Sequence, residues 1–274
     1  MNGGAVMTGW TSGEKHLITA AAAVASSDRP WVLEFHDEYR VSLYERLGWT
    51  VSRHDPLGRD RLISCGAALE RVLLAIRMLG WTPAMELRHD RERMDEVARI
   101  AVTGRREPSG VDLRRHDAIT VRRGHREPFA DRPVENGLRR ELLGAHGVDR
   151  VRLRPVEPSE IEALARVLNH TALTHRAFQR DLAGWTTPDR LSREFLLLAE
   201  TPDDGRLDHV RAGMAAELTW LAAVAAGLVG SVLTQPFQPH EVRTEIAAAL
   251  TLEGNPQLLL RFGHPTRRDD HGHQ

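Results

Sequence analysis

The sequence predicts an α+β fold, and three observations carry that prediction. Two long, mostly apolar helices are written at residues 58–80 and 205–227; short apolar runs flank each of them; and runs and helices alternate irregularly. Strict alternation would favour a doubly wound parallel sheet, whereas irregular alternation favours sheets with segregated helices. The 274 residues suffice for one large domain or two small ones with a real core.

Each element has its own signal. WVLEF (31–35) and RVSLY (40–44) read as a hairpin turning through His36-Asp37-Glu38. In the first long helix Leu62, Cys65, Leu69, Val72, Ile76 and Leu79 recur at alternating spacings of three and four, which is one apolar stripe. Leu73 and Leu74 widen the stripe, so much of the circumference should be buried. AMELRH (84–89) and EVARIAV (96–102) form a strand pair, and the Arg/Pro/Gly-rich stretch Thr103 to Arg115 reads as a connection. A helix-like run follows at Ala118 to Val121. Further on come a fully apolar strand FLLLA (195–199), the second long helix, a strand SVLT (231–234), a helix from Pro239 to Leu250, and the strand QLLLRFG (257–263).

The two long helices are also copies of one another. Residues 58–80 align without gaps to 205–227, and eight positions are identical, among them Gly58/Gly205, Gly66/Gly213, Glu70/Glu217 and Gly80/Gly227. A mid-helix glycine costs about 1 kcal/mol relative to alanine. A close helix crossing compensates that cost, so Gly66 and Gly213 predict that the two helices pack together. Gly80 and Gly227 stand where helices stop. The chain therefore divides into halves at 1–104 and 105–274, intertwined in one compact unit.

Composition excludes several classes. Formal charge is −1, which gives no global pull toward nucleic acid or anionic lipid. Aromatic residues are only 5%, and the pairs Arg105-Arg106 and Arg114-Arg115 come with no nucleic-acid-binding motif. Cys65 is the only cysteine, ruling out an internal disulfide and a cysteine zinc site; on the apolar stripe it reads as a core thiol. The histidines lack a ligand spacing, so no metal is expected. Leu218 to Phe237 reads as a buried helix running into a strand, not a membrane span. With no secretory pattern at the N-terminus, a cytoplasmic location is the expectation. Glu70 and Glu217 are candidate carboxylates, better read as helix-packing residues.

The segment DAITVRRGHREPF (117–129) concentrates Arg122, Arg123 and Arg126 at one turn, the arrangement that suits a phosphate. Taken with RPW (29–31), DPLGRDRLISCGAALERVLLA (55–75), RRGHREPFADRP (122–133) and the region from AAGLVGSVLT to LLLRFGHP (225–265), it resembles the nitroreductase-like FMN-binding proteins. The similarity is greatest to the Acg-type branch, in which two nitroreductase-like halves are fused in one chain. That resemblance implies a pseudo-dimer with two central helices, and FMN between the halves.

It also implies site residues. Arg122, Arg123 and Arg126 match the family's Arg-Arg-Ser-x-Arg turn at the FMN phosphate and ring edge, with Gly124 in place of the serine. Thr234 and Gln235 match the backbone that faces flavin N5, and Arg267 and Arg268 match a second phosphate-binding pair. The loop ASSDRPW (25–31) departs from the family's Pro-Ser-x-x-Asn-x-Gln-Pro-Trp; Ser26 and Ser27 are the candidates there, and Arg29 stands in place of glutamine. One Arg-Arg-x-x-Arg turn allows one flavin per chain at most. The implied activity is electron transfer from NAD(P)H through FMN to a small acceptor. Two alternatives stay open: a flavin-sequestering protein of the same fold, and a relative without flavin that acts through protein contacts.

Overall fold

A computed structural model describes residues 9–24, 29–47, 55–90, 93–125, 127–174 and 187–266. The elements run α1 (Ser12–Ala23), β1 (Trp31–His36), β2 (Arg40–Glu45), α2 (Arg59–Met78), β3 (Trp81–Leu87), β4 (Glu96–Arg105), α3 (Gly110–Val121) and α4 (Asn136–Leu143). They continue β5 (Arg152–Pro155), α5 (Ile161–Thr174), α6 (Pro188–Ser192), β6 (Phe195–Thr201), α7 (Arg206–Ala225), β7 (Val229–Leu233), α8 (His240–Ala249) and β8 (Asn255–Gly263). The α+β expectation holds: two antiparallel four-stranded sheets flank a central helix pair.

The sheets share one plan. Their strand orders are β1-β2-β4-β3 and β5-β6-β8-β7, each with its long helix inserted between the second and third strands. In β6 every residue is buried, as its unbroken apolar run requires, and β8 is buried from Pro256 onward. The β1–β2 hairpin turns at Glu38 and Tyr39, whose φ values of 55° and 53° are the left-handed pair a type I′ turn demands.

The long helices start and stop by parallel means. Asp55 accepts from the Asp60 and Arg61 backbone N–H groups at 3.2 and 2.9 Å and so caps α2 from outside. Asp208 reaches back to the Gly205 N–H at 3.2 Å at the start of α7. Both helices end into a left-handed glycine, Gly80 (φ 80°) and Gly227 (φ 83°). Their first arginines each reach the sheet of the other long helix: Arg59 donates to the Gln257 side chain on β8 at 2.9 Å, and Arg206 pairs with Glu45 on β2.

The stretch 103–115 is not the loose connection its composition suggests. β4 extends through Arg105, and α3 begins at Gly110 behind a Ser109–Asp112 capping box, leaving 106–109 as the link. The expected boundary after residue 104 thus falls inside β4. The reciprocal hydrogen bonds of Ser109 and Asp112 start a helix that arginine and proline counts conceal. Cys65 is fully buried, and burial pushes its thiol pKa up, as a core residue's should be.

Candidate functional site

The arginine turn is built by the end of α3. Arg122 is its C-cap, and the chain then runs extended across β7: Gly124 bridges Gly230 in parallel, and the His125 N–H donates to the Gly230 carbonyl at 2.9 Å. Phe129 continues the docking. A Cβ at Gly263 would fall 2.4 Å from the Phe129 ring, so the Gly263-His264 corner is shaped to admit that ring. Ala130 N–H then donates to the His264 carbonyl at 2.9 Å. RRGHREPF and FGHP, far apart in the sequence, thus meet through Phe129 and Ala130.

Arg122 and Arg123 point to different places. Arg122 is 8% exposed; its Nε lies 3.4 Å from Glu217 Oε1 and its guanidinium stacks 4.4 Å over Trp220. Arg71, from α2, approaches the same Glu217 oxygen at 3.7 Å and is itself buried. Two guanidiniums therefore face one carboxylate, and the cluster carries a net positive charge in a desolvated place. Burial lowers the Arg71 pKa, while Glu217 opposes that shift and Arg122 adds to it. Arg123 is exposed, with its Nη1 donating to the Thr120 and Arg122 carbonyls at 2.9 and 2.8 Å. Beside it, a Cβ on Gly124 would meet nothing within 4 Å, so the turn opens onto free space.

At the far end of β7, the Thr234 hydroxyl donates to Asp60 Oδ2 at 3.1 Å, and Gln238 Nε2 donates to the same oxygen at 2.7 Å. Burial raises the Asp60 pKa, with Arg59 opposing it. Gln235 opens the short turn that follows. Strand β7 thus joins two of the predicted groups, Gly124 at Gly230 and Thr234-Gln235 just past its end. Ser26, Ser27, Arg126, Arg267 and Arg268 lie outside the described residues. Arg71 donates to the Val24 carbonyl, immediately before the Ser26-Ser27 loop, and so ties the approach to that loop to the Glu217 cluster.

Arg71 and Trp220 were not among the residues the sequence singled out. An arginine in a long apolar helix gives no sign of burial, and Trp220 has no counterpart aromatic at the aligned Leu73. Glu217 was visible only as a recurring position. Two buried donors or acceptors in this region, Trp220 Nε1 and Ser231 Oγ, have no hydrogen-bond partner among the described residues.

No protein-family profile matches the chain. Two proteins of Mycobacterium tuberculosis with nitroreductase names are among its curated relatives, and a third relative there carries no functional name. The one provisionally named NAD(P)H nitroreductase Rv3131 is 26% identical over 81% of this chain and 76% of its own length. The one provisionally named NAD(P)H nitroreductase acg is 24% identical over 85% and 82%. Among solved structures, a nitroreductase with bound FMN from Bacteroides fragilis is 15% identical, with a TM-score of 0.46 over 58% of this chain and 92% of that one. The NADPH:FMN oxidoreductase of Vibrio harveyi, complexed with NAD+, is 16% identical, with a TM-score of 0.42 over 59% and 73%.

Proposed function

We propose that the chain is a nitroreductase-like oxidoreductase that binds one FMN and passes electrons from NAD(P)H to a small acceptor. The observation that carries the reading is the turn Arg122-Arg123-Gly124, laid across β7 above a buried cluster in which Arg71 and Arg122 outnumber Glu217. The names of the mycobacterial relatives support the same class.

The residues present fit the anionic end of such a cofactor. Arg123 offers an exposed guanidinium, the space over Gly124 is open, and the buried net positive charge beneath would favour an anion. Arg122, held by Glu217 and Trp220, sets the course of the turn and contributes field. In the proposed arrangement the backbone at Thr234 and Gln235 faces the ring, Ser26 and Ser27 approach from the other half, and Arg126, Arg267 and Arg268 complete the basic surround. Flavin, when bound, supplies the redox chemistry; the protein supplies binding, orientation and electrostatics. The halves 1–104 and 105–274 would then be the two fused units of a pseudo-dimer, an assignment supported by the common strand order.

The test is spectroscopic. Purified protein should take up FMN with a flavin absorption spectrum, and anaerobic NADPH or NADH should bleach it. Uptake without bleaching by either nucleotide would favour flavin sequestration. Failure to take up FMN would leave a protein acting through its contacts.

A further inference from the structure

A cavity of about 690 Å³ is lined by residues of α2, β3, α3 and α7. It is within the range that holds small organic ligands. Four of its lining residues are aligned with residues of the site just described. At the same offset that relates the two long helices, Glu70 stands for Glu217, Leu73 for Trp220, and Leu218 for Arg71. Pro83 of β3 likewise takes the place of Gly230 of β7. On the flavin side an arginine stacks on Trp220; here the smaller Leu73 leaves the space open.

The lining has two characters. Leu73, Met85, Leu87, Met214 and Leu218 make an apolar wall contributed by both halves. Facing it are four guanidiniums, from Arg77, Arg106, Arg115 and Arg211. Arg106 is engaged by Asp112 at 3.1 Å, Arg211 lies 3.8 Å from Asp208, and Arg115 donates to the Ala145 carbonyl. Arg77 acts through space on Glu70 and Asp112, and among the described residues its guanidinium donates no hydrogen bond. Glu70, Asp112 and Asp149 are the lining carboxylates.

We infer that this cavity binds a small organic monocarboxylate, its hydrocarbon body against the Leu73–Met214 wall and its carboxylate on Arg77. A guanidinium fork matches a carboxylate bidentately, and Arg77 offers one such fork. A second carboxylate on the ligand would come against Glu70 and Asp149 of the same lining. A neutral hydrocarbon would offer the Arg77 fork no acceptor. This site does not depend on the flavin reading, because it uses none of the residues proposed for FMN.

Octanoate is the probe, titrated calorimetrically into the full chain, with octan-1-ol as its uncharged counterpart. Octanoate should bind at least about tenfold more tightly than octanol, since one charge-assisted hydrogen bond is worth that much or more. Arg77→Gln should remove the preference while leaving octanol binding unchanged. Leu73→Trp, which copies the residue at the aligned position of α7, should fill the cavity and abolish binding of both. Thermal unfolding shows whether that variant folds, and Arg77→Gln, at a half-buried position, decides the matter if it does not. FMN titration should be unchanged in Arg77→Gln. Equal affinity for octanoate and octanol, no octanoate binding at millimolar concentration, full octanoate affinity in Arg77→Gln, or displacement of octanoate by FMN would each overturn the inference.

Discussion

Gly66 of α2 lies directly against Val210 of α7: a Cβ there would fall 2.0 Å from the Val210 carbonyl oxygen. The reciprocal contact exists as well, since a Cβ on Gly213 would fall 2.0 Å from the carbonyl oxygen of Ile63. Gly66 and Gly213 are aligned positions, and so are Ile63 and Val210. A contact in which i meets j and the copy of j meets the copy of i is what a twofold interface produces. Here both surfaces belong to one chain.

The crossing makes a prediction of sign. In an exposed helix interior, glycine to alanine stabilises by about 1 kcal/mol. Gly66→Ala and Gly213→Ala should instead destabilise by about 1–3 kcal/mol, because each methyl would strike a backbone carbonyl that cannot rotate away. Gly13→Ala, in α1 with open space around its Cα, should be neutral or stabilising. Urea denaturation of the three variants settles it, and midpoints that shift the same way in all three would mean the helices do not meet at these glycines.

The fold was legible where a local pattern and a tertiary fact coincided. The long helices had an apolar stripe and repeated glycines, and the strand β6 had an unbroken apolar run. α1 and α3 were harder, since their signals are capping boxes, Thr11 with Glu14 and Ser109 with Asp112, and not apolar stripes. The site was legible as chemistry but not as direction. Arg122 and Arg123 are adjacent and identical in type, yet Arg122 turns inward to Glu217 and Trp220 while Arg123 stays exposed. Nothing local distinguishes them. The difference comes from where α3 packs against α7.

That difference separates the two arginines experimentally. Arg123→Ala should leave stability within about 0.5 kcal/mol, as exposed substitutions do. If its guanidinium holds the phosphate, the same change should weaken FMN binding by about 10- to 150-fold, the equivalent of roughly 1.5–3 kcal/mol. Riboflavin, which has no phosphate, should bind as before. Fluorescence titration of both flavins reads the contrast. A parallel loss for riboflavin and FMN would place Arg123 away from the phosphate.

Arg122→Ala should behave as a structural lesion first. Removing one partner of a buried ion pair leaves the other uncompensated, at a cost of about 3–5 kcal/mol. Arg71 still faces Glu217 at 3.7 Å, so the loss should fall toward the lower end. Replacing both Arg122 and Glu217, by Met and Gln, should cost less than the sum of the single changes. A double-mutant cycle measures that coupling, and strict additivity would mean the 3.4 Å approach is energetically idle.

Glu70 provides a test by pH. It is buried, and burial raises its pKa from 4.5 to about 7, against the opposing pull of Arg77 and Arg115 and with a further push from Glu217. In the unfolded chain the same group ionises near its ordinary value. Between those two values the native state therefore holds a proton that the unfolded state has lost, so stability falls as pH rises through that window. Below about 4.5 both states are protonated and the native state suffers no penalty. Above about 7 both are ionised, and the full penalty of roughly 3 kcal/mol, from about 1.4 kcal/mol per pKa unit, is present and constant. Glu70→Gln has no proton to lose. Relative to wild type it should be nearly neutral at about pH 4 and clearly stabilising at about pH 8. Urea midpoints of the two proteins at both pH values give the comparison. A difference that stays constant between them would show that Glu70 ionises in the folded protein as it does in water.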